Sequence, residues 1–153
     1  MTVKLSTGAR NKLAGTTGFG AAFEAGVMHI YSGPQPASPD SPVSGTLLGI
    51  VTKDAAAFAF GAPANGLSFG APVAGVVAKQ AADIWKMTGL ALGTAGWFRL
   101  MANAPDNFGA STTLVRMDGS VGVSGADLNM SNIAIDVGTP STCDIFQFTI
   151  PAQ

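Results

Sequence analysis

Asp144-Ile145-Phe146-Gln147-Phe148-Thr149-Ile150 decides the fold class of this chain. Phe146, Phe148 and Ile150 occupy every second position with Gln147 and Thr149 between them, the period of a strand with one covered face. Trp97-Phe98-Arg99-Leu100-Met101 repeats the pattern, with Phe98 and Leu100 turned away from Arg99. Outward from these two stretches, β-forming runs lie at 27–31, 46–53, 56–60, 67–69, 73–79, 82–88, 112–117, 119–123, 126–130 and 133–137, bounded mostly by Gly, Pro, Asn or Asp. Asp118-Gly119 joins two of them and is the strongest hairpin signal in the chain. No helical stretch long enough for a parallel crossover separates the runs. The expected fold is all-β: an antiparallel β-sandwich of jelly-roll type over 26–153, preceded by a short helical or extended N-terminal arm over 1–25.

The surface of such a domain would be unusually neutral. The 153 residues include 8 Lys and Arg, 9 Asp and Glu, 20 Gly and 9 Pro, with a net charge of −1. Charged residues make up 11% of the chain, against about 25% in an ordinary soluble domain. Covering apolar and backbone groups costs less than desolvating Lys or Glu, so this composition suits a chain packed against other subunits. Clustered Lys and Arg, which a phosphate backbone would require, are absent, so nucleic acid is not an expected partner. Neither Met1-Thr2-Val3-Lys4-Leu5 nor the stretch over 18–30, interrupted by Glu24, reads as a signal or a membrane span.

In the arm, Leu5, Ala9 and Leu13 recur every fourth position and Gly15 follows, which predicts a short helix over 6–14. A second short helix is expected over 21–25. The alternative is a flexible arm that orders only in an assembly, because Gly8, Gly15, Gly18 and Gly20 weaken autonomous helices. The segment 34–44 holds Pro34, Pro36, Pro39 and Pro42, which forbid a central strand and favour a stiff extended loop. It reads either as a contact for a neighbouring subunit or as a plain connector.

Catalytic chemistry finds little to work with. Gly66-Leu67-Ser68-Phe69-Gly70 matches the nucleophile-elbow pattern, yet no long helix follows it and the single histidine, His29, lies upstream. His29 reads as a satisfied structural residue. Asp118, Asp127 and Asp136, with Ser and Asn between them, offer oxygen ligands for Ca²⁺, but the EF-hand spacing is absent and Asp in β-turns has its own reason through side-chain to backbone bonds. Trp85, Trp97 and Tyr31 would be the platform of a sugar-binding module, or core residues. Cys143 among Ile145, Phe146 and Phe148 is expected to be a buried, inert thiol. No catalytic residue, metal ligand or cofactor is assigned.

Several stretches, taken together, resemble small virion proteins of tailed bacteriophages. They are Leu5-Ser6-Thr7-Gly8-Ala9-Arg10-Asn11-Lys12-Leu13, Ile30-Tyr31-Ser32-Gly33, Gly45-Thr46-Leu47-Leu48-Gly49, Gly93-Thr94-Ala95-Gly96-Trp97-Phe98-Arg99 and Gly119-Ser120-Val121-Gly122-Val123-Ser124-Gly125-Ala126-Asp127-Leu128. The resemblance implies a non-enzymatic virion structural protein, most of all a capsid decoration or cement protein on the head surface. That role would bring major capsid protein or other virion proteins as partners, and a homo-oligomer with a trimer favoured. A tail, collar or head-to-tail connector component is the alternative, and a glycan- or receptor-binding β-sandwich on the virion surface a further one. The expected contact residues are Leu5, Arg10, Leu13, Phe19 and Phe23 of the arm, and Pro34, Pro36, Pro39 and Pro42 of the loop, with Phe19 and Phe23 exposed.

Overall fold

The computed structural model describes residues 3–150, so the outermost residues of the expected arm and domain, 1–2 and 151–153, lie outside it. Ten strands run in chain order: β1 (Lys4–Leu5), β2 (Val27–Ser32), β3 (Leu47–Lys53), β4 (Val76–Ala78), β5 (Trp85–Thr88), β6 (Gly93–Met101), β7 (Arg116–Gly122), β8 (Leu128–Met130), β9 (Ala134–Ile135) and β10 (Pro140–Thr149). Two helices, α1 (Thr7–Ala14) and α2 (Phe19–Phe23), precede β2. The all-β class follows the alternation read from the sequence. Strands β7-β8-β10-β5-β3-β2-β6 form a ladder, and the further pairing of β6 with β7 closes it into a seven-stranded barrel, with β1, β4 and β9 attached outside the ring. Closure removes the free edges that an open sheet would expose.

One pair is not antiparallel. Strand β8 lies parallel to β7 through Val121↔Leu128 and Gly122↔Asn129. The Asp127 carboxylate accepts from the Ser120 N–H (2.9 Å) and Oγ (2.8 Å), folding the intervening turn back so tightly that a two-pair parallel ladder needs no long crossover.

The inside of the barrel is the apolar half of the alternation. Met28 and Ile30 of β2 meet Leu100 and Phe98 of β6 in register, and Met117, Trp85, Met87 and Phe146 close the interior. Each such side chain contributes about 1.5–3 kcal/mol by burial.

The Asp118-Gly119 hairpin expected from the sequence does not form: β7 runs straight through both residues. Asp118 is held extended by Arg99 directly across the β6–β7 pair, and Gly119 faces Phe98, where a Cβ would come within 2.6 Å of the ring. The glycine is there for ring clearance, not for a turn. The run over 56–60 is likewise loop rather than strand. After Lys53 the chain enters left-handed conformation at Asp54 (φ 56°) and Ala55 (φ 57°) and leaves the sheet, and Thr52 Oγ1 donates to the Ala56 carbonyl at 2.7 Å.

Helix α1 forms as read. Ser6 caps it by accepting from the Ala9 N–H (3.0 Å), and the Gly15 N–H returns to the Lys12 carbonyl. Ser6 Oγ also donates to the Leu114 carbonyl (2.7 Å) and accepts from the Arg116 N–H (3.0 Å), which fastens the helix to the start of β7. Gly8 packs so closely on the Thr113 and Leu114 carbonyls that no Cβ fits. With β1 paired to β7, the arm is docked on the barrel.

Candidate functional site

Two surfaces on the outside of the barrel hold the residues of interest. The first covers β2, β6 and β7, whose outward side chains are His29, Tyr31, Trp97, Arg99, Arg116 and Asp118, all buried. Arg99 grips Asp118 with Nε–Oδ1 at 2.7 Å and Nη2–Oδ2 at 2.8 Å, and Arg116 grips Asp106, with Nε–Oδ2 at 2.7 Å. Burial pushes the Asp118 carboxyl above the ordinary aspartate value, opposed by the bonds and charge of Arg99.

The cover over these pairs is the proline-rich segment. Proline carbonyls accept hydrogen bonds while proline nitrogens donate none, and guanidinium donates without accepting, so the two chemistries complement one another. Arg116 Nη1 donates to the Pro39 carbonyl (3.2 Å) and the Gly109 carbonyl (2.8 Å), and Arg99 Nη1 donates to the Ser41 carbonyl (3.0 Å). Lys4 Nζ reaches the Pro36 carbonyl at 3.0 Å. Asp40 accepts from the N–H (2.9 Å) and hydroxyl (2.7 Å) of Thr7; burial raises its carboxyl, but these bonds together with the Arg10 and Arg116 charges outweigh it and hold the group below the usual range. The segment is a strap tying the arm, the barrel wall and the 103–113 loop together.

The second surface is an apolar groove of about 400 Å³ beside the strap. Its floor is His29, Ile50, Thr52 and Thr88, and its walls come from residues 55–60, Leu90 and Phe108. His29 lies nearly parallel to Phe108 (centroids 5.2 Å, 28° between planes), and Phe60 touches Phe58 edge-on at 5.3 Å. His29 Nδ1 meets the Tyr31 hydroxyl at 3.3 Å. Burial lowers the His29 pKa to about 4, although the Asp106 charge pulls the other way, so the ring is neutral at pH 7. Burial also raises the Tyr31 pKa to about 12.

The expected contact residues divide between these surfaces and the core. Arg10, Pro34 and Pro42 are exposed, while Leu5, Leu13 and Pro36 are half-buried. Pro39 is buried in the strap. Phe19 and Phe23, expected to be exposed, are buried: Phe19 stacks on Phe148 at 4.2 Å and lies 4.9 Å from Phe23. They turn inward because α2 sits against the barrel where Phe69 and Val77 complete the core.

Trp85 and Trp97 are 0% exposed and Tyr31 is 3% exposed, so the aromatic platform a sugar-binding module would need is not on the surface. Ser68 sits between two isolated β-bridges and donates to Asp83 Oδ2 at 2.6 Å, not at a strand-to-helix elbow. Among the described residues no three His, Cys, Asp or Glu side chains gather to hold a metal: Asp118 is bound to Arg99 and Asp127 to Ser120. Cys143 is buried, and burial raises its thiol pKa to about 12.

Sequence reading missed the groove. Its walls come from Ala- and Phe-rich residues read as a strand, and from Phe108 in an irregular loop. The signal available was an uncharged run over 55–60, closed by Gly61 and set immediately after Lys53-Asp54.

The described residues form a small closed β-barrel with an apolar recess on its wall beside His29. No protein-family model, curated protein or solved structure matches the chain.

Proposed function

We propose that this protein is a non-enzymatic virion structural protein of the tailed-bacteriophage type, acting as a decoration protein that binds across neighbouring capsid subunits and itself assembles as a homo-oligomer, with a trimer favoured. The observation that carries this reading is an apolar patch at one end of the barrel, with the exposed Asp136 beside it as its one neighbouring charge in the two loops. Leu92 (75% exposed), Val137 (69%) and Leu90 (53%) project there from two loops. Those loops are tied by Gly89 N–H to the Thr139 carbonyl (2.9 Å) and Gly138 N–H to the Gly89 carbonyl (2.8 Å), so the three side chains are presented on a braced platform. A monomer gains nothing from exposing them, whereas a contact surface does. The jelly-roll-like sandwich is kept only as part of this proposal, beside strands that close into a barrel.

Contact by nucleic acid has no basic patch to support it, and no helix among the described residues is long and apolar enough to cross a membrane. The buried Phe19 and Phe23 move the proposed contact from the arm to the loop tips; Arg10, Pro34 and Pro42 are exposed elsewhere on the surface and remain available as further contact residues. A tail, collar or connector location is the second reading, since the same platform would serve there.

The experiment is quantitative mass spectrometry of purified particles together with head binding by the Leu92→Lys/Val137→Lys variant. A copy number equal to the major capsid protein or a simple fraction of it, with binding lost in the folded variant, is expected. A dozen copies or fewer would move the protein to the tail or neck, and absence from particles would overturn the proposal.

A further inference from the structure

The groove beside His29 has features that contact through the barrel end does not explain. Its lining contains no Lys, Arg, Asp or Glu, so a charged occupant would be desolvated without a partner. Its volume of about 400 Å³ lies within the range of small-molecule sites.

The walls are set in advance. Asn65 Nδ2 holds the Ala57 carbonyl at 2.7 Å, Thr52 Oγ1 holds that of Ala56, and Asn103 brackets the far side through the Gly61 N–H and the Ala62 carbonyl, both at 2.8 Å. Two lining residues without glycine's freedom, Ala55 and Phe108, hold left-handed backbone (φ 57° and 61°). Conformations of this kind persist only where surrounding contacts impose them, and they concentrate at binding sites. Fixed walls lower the entropy a ligand loses on entry.

The floor supplies two directional polar groups, the His29 ring and the Thr88 hydroxyl. His29 Nδ1 is taken by Tyr31, whereas Nε2 has no hydrogen-bond partner among the described residues and is not sealed in the interior. The Thr52 hydroxyl is already spent on Ala56. One ring nitrogen beside the Phe108 face and one hydroxyl suit a flat molecule with few polar substituents and do not suit a sugar, whose many hydroxyls would find too few partners.

We propose that this groove binds an uncharged, planar aromatic small molecule, its ring lying against the apolar wall of residues 55–60 and Phe108 and its one hydroxyl or N–H group on His29 Nε2. The site adjoins the proposed contact platform through Leu90, which borders both, but its test leaves Leu92 and Val137 untouched and so is read separately from the virion reading.

The test is a titration of the intact chain with 2-naphthol at pH 7, followed by ¹H–¹⁵N NMR. Saturable shifts confined to residues around His29, Ile50, Thr88 and Phe108 are expected. Thr88→Trp, an exposed strand position where the new ring fills the groove, should weaken binding by tenfold or more. Ala57→Arg, on an exposed loop, should do the same by placing a charge in it. His29→Phe should weaken it about tenfold through loss of one hydrogen bond. Shifts that do not saturate, or binding unchanged in whichever of the two blocking variants is folded, would overturn the proposal. Equal binding by naphthalene and 2-naphthol would overturn the role of Nε2.

Discussion

The two faces of the β2–β6–β7 wall are made from alternating residues of the same strands, yet they are built by opposite chemistry. Inward, Met28, Ile30, Phe98, Leu100 and Met117 pack as hydrocarbon. Outward, Arg99, Arg116 and Asp118 are just as inaccessible but are satisfied one bond at a time, Arg99 by Asp118 and the Ser41 carbonyl and Arg116 by Asp106 and the Pro39 and Gly109 carbonyls, while His29 and Tyr31 bond each other and Trp97 Nε1 is enclosed without a partner. The inner face tolerates changes that keep volume. The outer face should lose most where a change leaves a buried charge without its partner. A chain with so few charged residues has therefore committed four of them to two buried pairs, which makes the rest of its surface still more neutral.

The sharpest way to break this contrast is to remove one partner of a buried pair. Asp118→Ala leaves the Arg99 guanidinium enclosed and uncompensated, and should cost about 3–5 kcal/mol in urea unfolding. Replacing Arg99 and Asp118 together by Met and Leu should cost markedly less than that single change. If the single variant lost under 1 kcal/mol, the outer face would not be a closed polar layer.

Acidification tests the same face more gently. His29 has a folded pKa of about 4 against 6.5 for the free side chain, so the unfolded chain takes up a proton first as pH falls. Stability should be flat with respect to this group above about pH 6.5, then decline by about 3 kcal/mol as pH drops towards 4. His29→Phe should remove that part of the slope.

Ser6→Ala removes a helix cap that also bonds Leu114 and Arg116, and should cost about 1–2 kcal/mol, read from the thermal midpoint. Smallest of all, Pro34→Ala and Pro42→Ala sit on the exposed side of the strap and should change stability by no more than about 0.5 kcal/mol. A large loss there would mean that the strap's outer side carries more of the fold than its carbonyls do.

What the sequence disclosed follows from the same contrast. The inner face was legible because alternation is a local signal: Phe98 and Leu100 on one side of Arg99, Phe146 opposite Gln147. Helix α1 was legible because Ser6 and Gly15 cap it within the segment itself. The outer face was not, because each of its determinants joins residues far apart in the chain. Asp118-Gly119 has the residues of a turn, and only Arg99 and Phe98 across the ladder hold it extended. The proline-rich segment looked free to meet a neighbour, since nothing near it in sequence announces the arginines beneath. Phe19 and Phe23 looked like exposed arm residues for the same reason: Phe148 and Phe69, which receive Phe19, lie far along the chain. The groove was hidden because the left-handed turn at Asp54 and Ala55 converts an apparent strand into a wall.

The most direct test of the closed outer face is the hydrogen exchange of the Arg99 and Arg116 Nε–H groups, followed by ¹⁵N NMR near neutral pH. Both should give resolved resonances that exchange far more slowly than the exposed Arg10, because each Nε–H is bound to a carboxylate beneath the strap. Exchange as fast as that of Arg10 would mean that the strap is open in solution, and the buried polar layer would have to be abandoned.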